Sequence, residues 1–270
     1  MRAAIADAEV VVHLAALVDP ALQSDAAAVF RVNRDLTLSL AAIAESAGVR
    51  RFVFVSSIAA MGFWSGIATP ASECHPETPY GRAKRDAELE LLRRARPGFD
   101  VFVLRPPTVY GPGEAYNFLA WVRAVDRGVF RVIGSGENRF PLATTENVAR
   151  GLVAAAEGAL APGVHLVADR EAYSVARIDA AIRGALGKPL TRLRIPVCVA
   201  ALAGFVNEQL HRSLPGLPIV LTRARVRTLT VDQHFDLGAL LRSGVELDAP
   251  LEDWVRRTVA SYRQRGLIRG

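Results

Sequence analysis

The chain has 270 residues, 51% of them hydrophobic, enough to bury a full core as one large domain or as a domain with a lobe. The formal net charge is +6 and the pI 9.9, but the arginines are scattered among 27 acids without a long basic block. With no helix-turn-helix, zinc or RNA-binding signature, nucleic acid is not an expected partner, whereas an anionic cofactor or substrate suits a mildly basic surface.

Two cysteines, Cys74 and Cys198, lie far apart in unlike contexts and form neither a disulfide framework nor a metal pattern, so no metal is expected. Nothing at the N-terminus reads as a signal peptide, since the opening residues include Asp7 and Glu9. The longest uncharged apolar run, Ile195 to Val206, is too short to span a bilayer. The expectation is a cytoplasmic protein without membrane association.

In chain order, residues 2–9 read as the last turns of a helix and Val10 to Ala16 as a buried strand running into a small-residue turn. Ala15 and Ala16 sit at the carboxyl end of that strand, where α/β sheets bind ligands. His13 reads as a core histidine. Residues 24–47 form a long amphipathic helix ending at Gly48, with Asn33 as its notable polar residue. The apolar, β-branched run Phe52 to Val55 is a strand that ends on Ser56 and Ser57. After a loop, Thr78 is placed to cap a helix and Pro79 to occupy its first turn, and that helix stops at Pro97-Gly98.

Val101 to Leu104 is another buried strand, and the stiff turn RPPTVYGPG follows at its carboxyl end, a wall for the same site. Beyond residue 113 the expected elements are a helix at 117–127, a short strand at 130–133, the turn GSGENRF, a helix at 147–157 and a strand at 164–167. A helix at 175–186 is capped by Ser174 and stopped by Gly187. An apolar helix at 195–212 is broken by PGLP at 215–218, and a last helix at about 250–265 turns Trp254 inward. The run Ile195 to Val206 suits a lid over an apolar substrate or a membrane-surface patch, but is read as plain core. Alternating strands and helices make the fold class α/β.

The chemistry concentrates at Ser57, Tyr80 and Lys84. Tyr80 and Lys84 are four apart and share one helix face, directly after a strand that delivers a hydroxyl. A free phenol, with a pKa near ~10, is a poor base at neutral pH. A neighbouring ammonium favours the phenolate, so Lys84 is expected to lower the Tyr80 pKa. The serine hydroxyl can hold a substrate oxygen while Tyr80 gives or takes its proton. Lysine is otherwise used only at Lys188, arginine supplying the remaining cations, which sets the Lys84 position apart.

The stretches VVVHLAALVDP, the Asn33 helix, FVFVSS, PYGRAK, LRPPTVYGPG and IGSGENRF resemble, in order and approximate spacing, the extended short-chain dehydrogenase/reductase family, the NAD-dependent epimerase/dehydratase group. The resemblance implies a Rossmann-like parallel sheet, N-terminally truncated, over residues 1–113. It implies a smaller α/β substrate lobe over 114–270, with some return to the sheet. Ser57, Tyr80 and Lys84 would be the catalytic set, Lys84 also holding the nicotinamide ribose. Ala15, Ala16, Asn33, Ser56, Tyr80, Lys84 and Pro106 would line NAD or NADP, and Thr108 and Arg139 the substrate. A homodimer would form through the helices at about 24–47 and 79–96.

The family's glycine-rich pyrophosphate turn has no counterpart in this sequence, which begins about where the family's fourth strand begins. A late-called start, a fragment or a lost cofactor half would each account for that. Ile58-Ala59 replaces the Asp-Glu pair of the sugar-nucleotide dehydratases, and Thr108 stands where the epimerases usually carry Asn. Their Arg-x-x-x-His stretch survives only as Arg139, without the His. The apolar C-terminal lobe and RPPTVYGPG look more like the 3β-hydroxysteroid dehydrogenase and dihydroflavonol reductase branch. The expected function is therefore NAD(P)-dependent oxidoreduction of a secondary alcohol or ketone on a fairly apolar substrate. The alternatives are an NDP-sugar 4-epimerase of the same family and a cofactor-less binding or regulatory protein.

Overall fold

The computed structural model describes residues 5, 7–18, 25–191, 193–214 and 221–269. In chain order its elements are β1 (Val10–His13), α1 (Ala26–Phe30), α2 (Leu36–Ser46), β2 (Arg51–Val55), β3 (Gly66–Ala68), α3 (Pro79–Arg94), β4 (Asp100–Arg105) and β5 (Thr108–Tyr110). Then follow α4 (Asn117–Asp126), β6 (Arg139–Phe140), β7 (Leu142–Thr144), α5 (Thr145–Glu157), β8 (Gly163–Leu166), β9 (Tyr173–Ser174) and α6 (Val175–Leu186). The chain ends with α7 (Val197–Ser213), α8 (Arg223–Thr228), β10 (Gln233–Phe235), α9 (Gly238–Arg242) and α10 (Leu251–Gln264). It divides into two compact units, the first comprising Met1–Val109, Leu142–Arg170 and Phe235–Ala249, the second Tyr110–Pro141, Glu171–His234 and Pro250–Gly270.

The first unit is built on a four-stranded sheet in the order β1-β2-β4-β8, and each pairing is parallel. Parallel strands need both faces covered, so their sequences are continuously apolar, as RFVFV and DVFVLR are. The pleat then sorts alternate residues between two cores. Phe52, Phe54, Val101 and Val103 pack with Ala41 and Ala44 of α2 and with Ala87 and Leu91 of α3. Val53, Phe102, Leu104 and Leu166 face the other way, against Leu152 and Ala155 of α5 and Leu240 of α9. The α/β class and parallel sheet expected from the sequence are present.

The helix expected at 24–47 is continuous but not uniform: a π-helical turn, Arg31–Asp35, joins α1 to α2. Residues 19–24, including its expected first residue, lie outside the described residues. The helix end expected at 2–9 is not found where the chain is described: residues 5 and 7–9 form bends and a turn. Helix α3 starts as its sequence dictates, with Thr78 Oγ1 accepting from Gly81 N at 3.0 Å and Pro79 in the first turn.

In the second unit α6 packs on α10 and on α4. Helix α6 starts at Ser174, whose hydroxyl accepts from Arg177 N, and stops at left-handed Gly187. Trp254 is buried on α10 with Val255, Val259 and Tyr262. The strand expected at 130–133 reduces to one bridge between Ile133 and Ile195, while part of the turn GSGENRF forms β6, paired antiparallel with β9. PGLP at 215–218 lies outside the described residues. The plain-core reading of 195–206 fails on α7, where Val199, Leu202, Phe205 and Val206 are exposed, because the helix packs through its small residues instead.

Gly81 lets α3 come close to the loop after β2: a Cβ there would lie 2.2 Å from the carbonyl oxygen of Ala59. On an open helix Gly→Ala stabilises by about 1 kcal/mol, but here overpacking costs about 1–3 kcal/mol. Gly81→Ala is expected to lower the urea midpoint of unfolding; an unchanged or higher midpoint would show that this contact is loose.

Candidate active site

Three chain segments bring the site together at the carboxyl ends of β2 and β4. The ladder between these strands runs one residue past β2, with Ser56 N donating to Leu104 O at 2.8 Å, and Ile58 N donates to Pro106 O at 3.1 Å. Ser57 is held in extended backbone as the cap of a 3-10 turn, its Oγ accepting from Ala59 N at 3.1 Å. Its side chain also hydrogen-bonds Tyr80 on α3.

Lys84, one turn further along α3, is 1% exposed. Its Nζ donates to Val55 O at 2.8 Å and lies 4.5 Å from the centroid of the Phe54 ring and 5.9 Å from that of Tyr80. Burial lowers its pKa to about 8, although the Glu88 carboxylate pulls the other way. Tyr80 moves in the direction opposite to the sequence expectation: burial pushes its pKa up to about 12, and the hydrogen bond with Ser57 only moderates the rise. Desolvation of the phenol sets that direction, while the nearby Lys84 ammonium is itself bonded to the Val55 carbonyl and lies over the Phe54 ring. Tyr80 is therefore a neutral phenol at neutral pH.

The other expected residues fall into two groups. His13 is buried as read, with Nε2 3.0 Å from Thr37 Oγ1 and its ring stacked on Phe54 at 5.9 Å. Burial, and then the Lys84 charge, lower its pKa to about 4, so it is neutral. Asn33 spends its amide on the turn after β1: Oδ1 accepts from Leu17 N at 3.0 Å, and Nδ2 donates to Leu17 O and Val29 O. It shapes the segment carrying the exposed Ala15 and the half-buried Ala16. Ser56 is buried, and its hydroxyl donates to Glu88 Oε1 at 2.5 Å. Pro106 is buried and Thr108 half-buried, both in the first unit. Arg139 belongs to the second unit, where its backbone N–H donates to Asp232 Oδ1 at 2.7 Å.

Sequence reasoning missed Glu88 and Arg105. Glu88 is fully buried on α3 and receives Arg105 through Nε at 2.9 Å and Nη2 at 2.6 Å, a two-pronged ion pair beneath the site. Burial disfavours the Arg105 charge, but the Glu88 hydrogen bonds outweigh it and hold its pKa above the usual value. One signal was available: Glu88 lies four residues beyond Lys84, on the face that Tyr80 begins.

A family model for the NAD dependent epimerase/dehydratase family matches residues 1–168. The chain belongs to this family. A UDP-glucose 4-epimerase of Vibrio cholerae is 34% identical over 179 residues, covering 64% of this chain and 55% of the Vibrio protein. A 3beta-hydroxysteroid-dehydrogenase/decarboxylase (isoform 1) of Arabidopsis thaliana is 27% identical over 278 residues, covering 94% of this chain and 62% of that protein. The chain thus spans less than two thirds of either relative. Among solved structures, a UDP-glucuronic acid 4-epimerase from Bacillus cereus in complex with NAD superposes with a TM-score of 0.72 at 19% identity, covering 97% of this chain and 75% of that one. Membership in the epimerase/dehydratase family thus rests on the first 168 residues, and the structural likeness extends the fold to nearly the whole chain.

Two outcomes are expected of this geometry. With only two lysines in the sequence, 15N-labelled lysine gives two Nζ resonances. The one missing from Lys84→Met is expected to titrate near pH 8, whereas titration near the ordinary value of about 10.4 would show that the ammonium is not desolvated. Arg105→Met leaves the buried Glu88 carboxylate without its main partner, a loss of about 3–5 kcal/mol measurable by urea denaturation; a loss below about 1 kcal/mol, the range of an exposed pair, would contradict the buried ion pair.

Proposed function

We propose that this chain carries the proton-transfer site of an NAD(P)-dependent oxidoreductase acting on a secondary alcohol or ketone of a fairly apolar substrate. The observation that carries the reading is the Ser57–Tyr80 hydrogen bond with the Lys84 ammonium buried one turn along the same helix. A phenol kept protonated by burial is suited to donate its proton to a carbonyl oxygen as that oxygen gains charge. Ser57 Oγ already accepts from Ala59 N, so its own proton is available to orient the substrate oxygen or the Tyr80 oxygen. In the reverse direction Tyr80 takes the proton, and a charged Lys84 makes that form less costly.

The residues fit a nicotinamide cofactor. The buried ammonium of Lys84 has three N–H donors and one hydrogen-bond acceptor among the described residues, Val55 O, so two donors suit ribose hydroxyls. Ala15 and Ala16 leave the backbone after β1 open to close approach, and Pro106 offers a stiff wall at the end of β4. The cofactor would supply hydride transfer; the proton, the orientation of the reacting oxygen and the exclusion of water belong to Tyr80, Ser57 and the buried Lys84. Thr108 and Arg139 are proposed as substrate contacts, and the α1–α2 and α3 helices as the dimer surface.

A second reading, a UDP-sugar 4-epimerase, is favoured by the 34% identity to the Vibrio relative. The two are separated by assaying NADH- and NADPH-dependent ketone reduction beside UDP-sugar interconversion without added cofactor. Under the oxidoreductase reading, Tyr80→Phe is expected to lower turnover by about 10²–10⁴ while the thermal melt stays that of the parent. Retained turnover would remove Tyr80 from the chemistry, and sugar interconversion without net redox change would favour the epimerase.

A further inference from the structure

Helix α7 is built inside out. Its small residues Ala200 and Gly204 face the second unit, where Ala200 packs with Ile133 and with Val226 of α8. At Gly204 a Cβ would lie 3.0 Å from the backbone of Thr222 and Arg223, so the start of α8 is seated on the helix there. Asn207 Oδ1 accepts from Leu221 N at 3.2 Å and Glu208 from Arg223 N at 2.8 Å, fixing the two helices together. The large apolar side chains point outward: Leu202 is 64% exposed, Val199 53%, Val206 and Leu210 46% and Phe205 43%. A contiguous exposed apolar face marks an interaction site more often than it occurs idly.

Without forming a consecutive basic block, cations are frequent in the stretch of sequence that carries that face, although Lys188 pairs with Asp126 and Arg194 with Glu137 from outside it. Residues 188–228 contain seven lysines and arginines and one acid, Glu208, so this segment carries +6, the formal net charge of the whole chain, and the remainder is balanced. Arg223 links the two features, its guanidinium 5.3 Å above the Phe205 ring while Nε pairs with Glu208 at 3.0 Å. Arg225 and Arg227 are exposed on α8, as is Arg194 ahead of α7. No helix among the described residues is long and apolar enough to cross a membrane.

We propose that α7 and α8 form a docking surface for an anionic lipid bilayer, with α7 lying in the interface plane and the α8 arginines at the headgroups. An apolar helix face rimmed by cations is the combination that binds such a surface, apolar burial and attraction to anionic lipid adding together. A second copy of this chain is the poorer occupant, because apposed faces of the same positive charge repel. The surface lies wholly in the second unit and stands independently of the redox reading.

The test is co-sedimentation of the full chain with vesicles of phosphatidylcholine alone or mixed with phosphatidylglycerol. Binding to the mixed vesicles is expected, weak or absent on phosphatidylcholine and weakened by high salt. Arg225→Ala/Arg227→Ala is expected to weaken it about thirtyfold, at about 1 kcal/mol per cation, and Leu202→Glu/Phe205→Glu by at least about tenfold. Both pairs are exposed, so the thermal melt should be that of the parent; if the apolar pair fails to fold, the arginine pair carries the test alone. No binding by the folded parent chain, or binding unchanged in the folded variants, overturns the proposal. So does a dimer that Leu202→Glu/Phe205→Glu dissociates in a chain that ignores both vesicles, since the face then joins two copies.

Discussion

The Lys84 ammonium is buried beside a neutral histidine and a protonated tyrosine, an arrangement that burial alone would expel at a cost of several kcal/mol. It is retained because α3 presents Tyr80, Lys84 and Glu88 on one face at successive intervals of four. Each of the three is fixed to a different point: Tyr80 to Ser57, Lys84 to the Val55 carbonyl, Glu88 to Ser56 and Arg105. One helix face thereby clamps the carboxyl ends of β2 and β4, and the orientation of the site follows from it. The Glu88 carboxylate also offsets part of the desolvation of Lys84, so the ion pair beneath the site supports the charge above it.

This arrangement divides the electrostatic labour. Glu88 and Arg105 pair through two hydrogen bonds and lock the frame, while Lys84 keeps a charge that burial has made easier to lose. His13 is close enough to Lys84 for that charge to help keep it neutral, and its ring lies on Phe54 with the ammonium above the same phenylalanine. The Phe54 ring, in contact with both a cation and a neutral imidazole, is as much part of the site as the groups that exchange protons. Asn33 and Ser56 serve the same end from the framework side, through bonds to protein atoms that fix the turn after β1 and the end of β2.

The second unit obeys a different constraint. Its helices α6 and α10 bury large side chains in the usual way, Ile178 and Ile182 on one and Val255 and Tyr262 on the other. Helix α7 reverses the pattern because its small residues are needed where the backbone of α8 comes close, and its large ones are left outside. The same stretch of sequence holds seven lysines and arginines against one acid, while the rest of the chain is balanced in formal charge.

What neighbouring residues encode among themselves is legible in the sequence alone. The apolar runs of β2 and β4, the cap at Thr78 with Pro79 after it, the Ser174 to Gly187 limits of α6 and the shared face of Tyr80 and Lys84 depend on period and capping within a few residues. The tertiary structure alone decided what depends on segments distant in sequence. Glu88 became part of the site because β4 brings Arg105 to it. Tyr80 was pushed above its ordinary pKa because desolvation is set by what covers a group, and only the folded chain brings that cover together. An apolar run such as Ile195 to Val206 has the same composition whether it lies in a core or faces outward, since composition fixes how much apolar surface a helix has and packing fixes which side is buried.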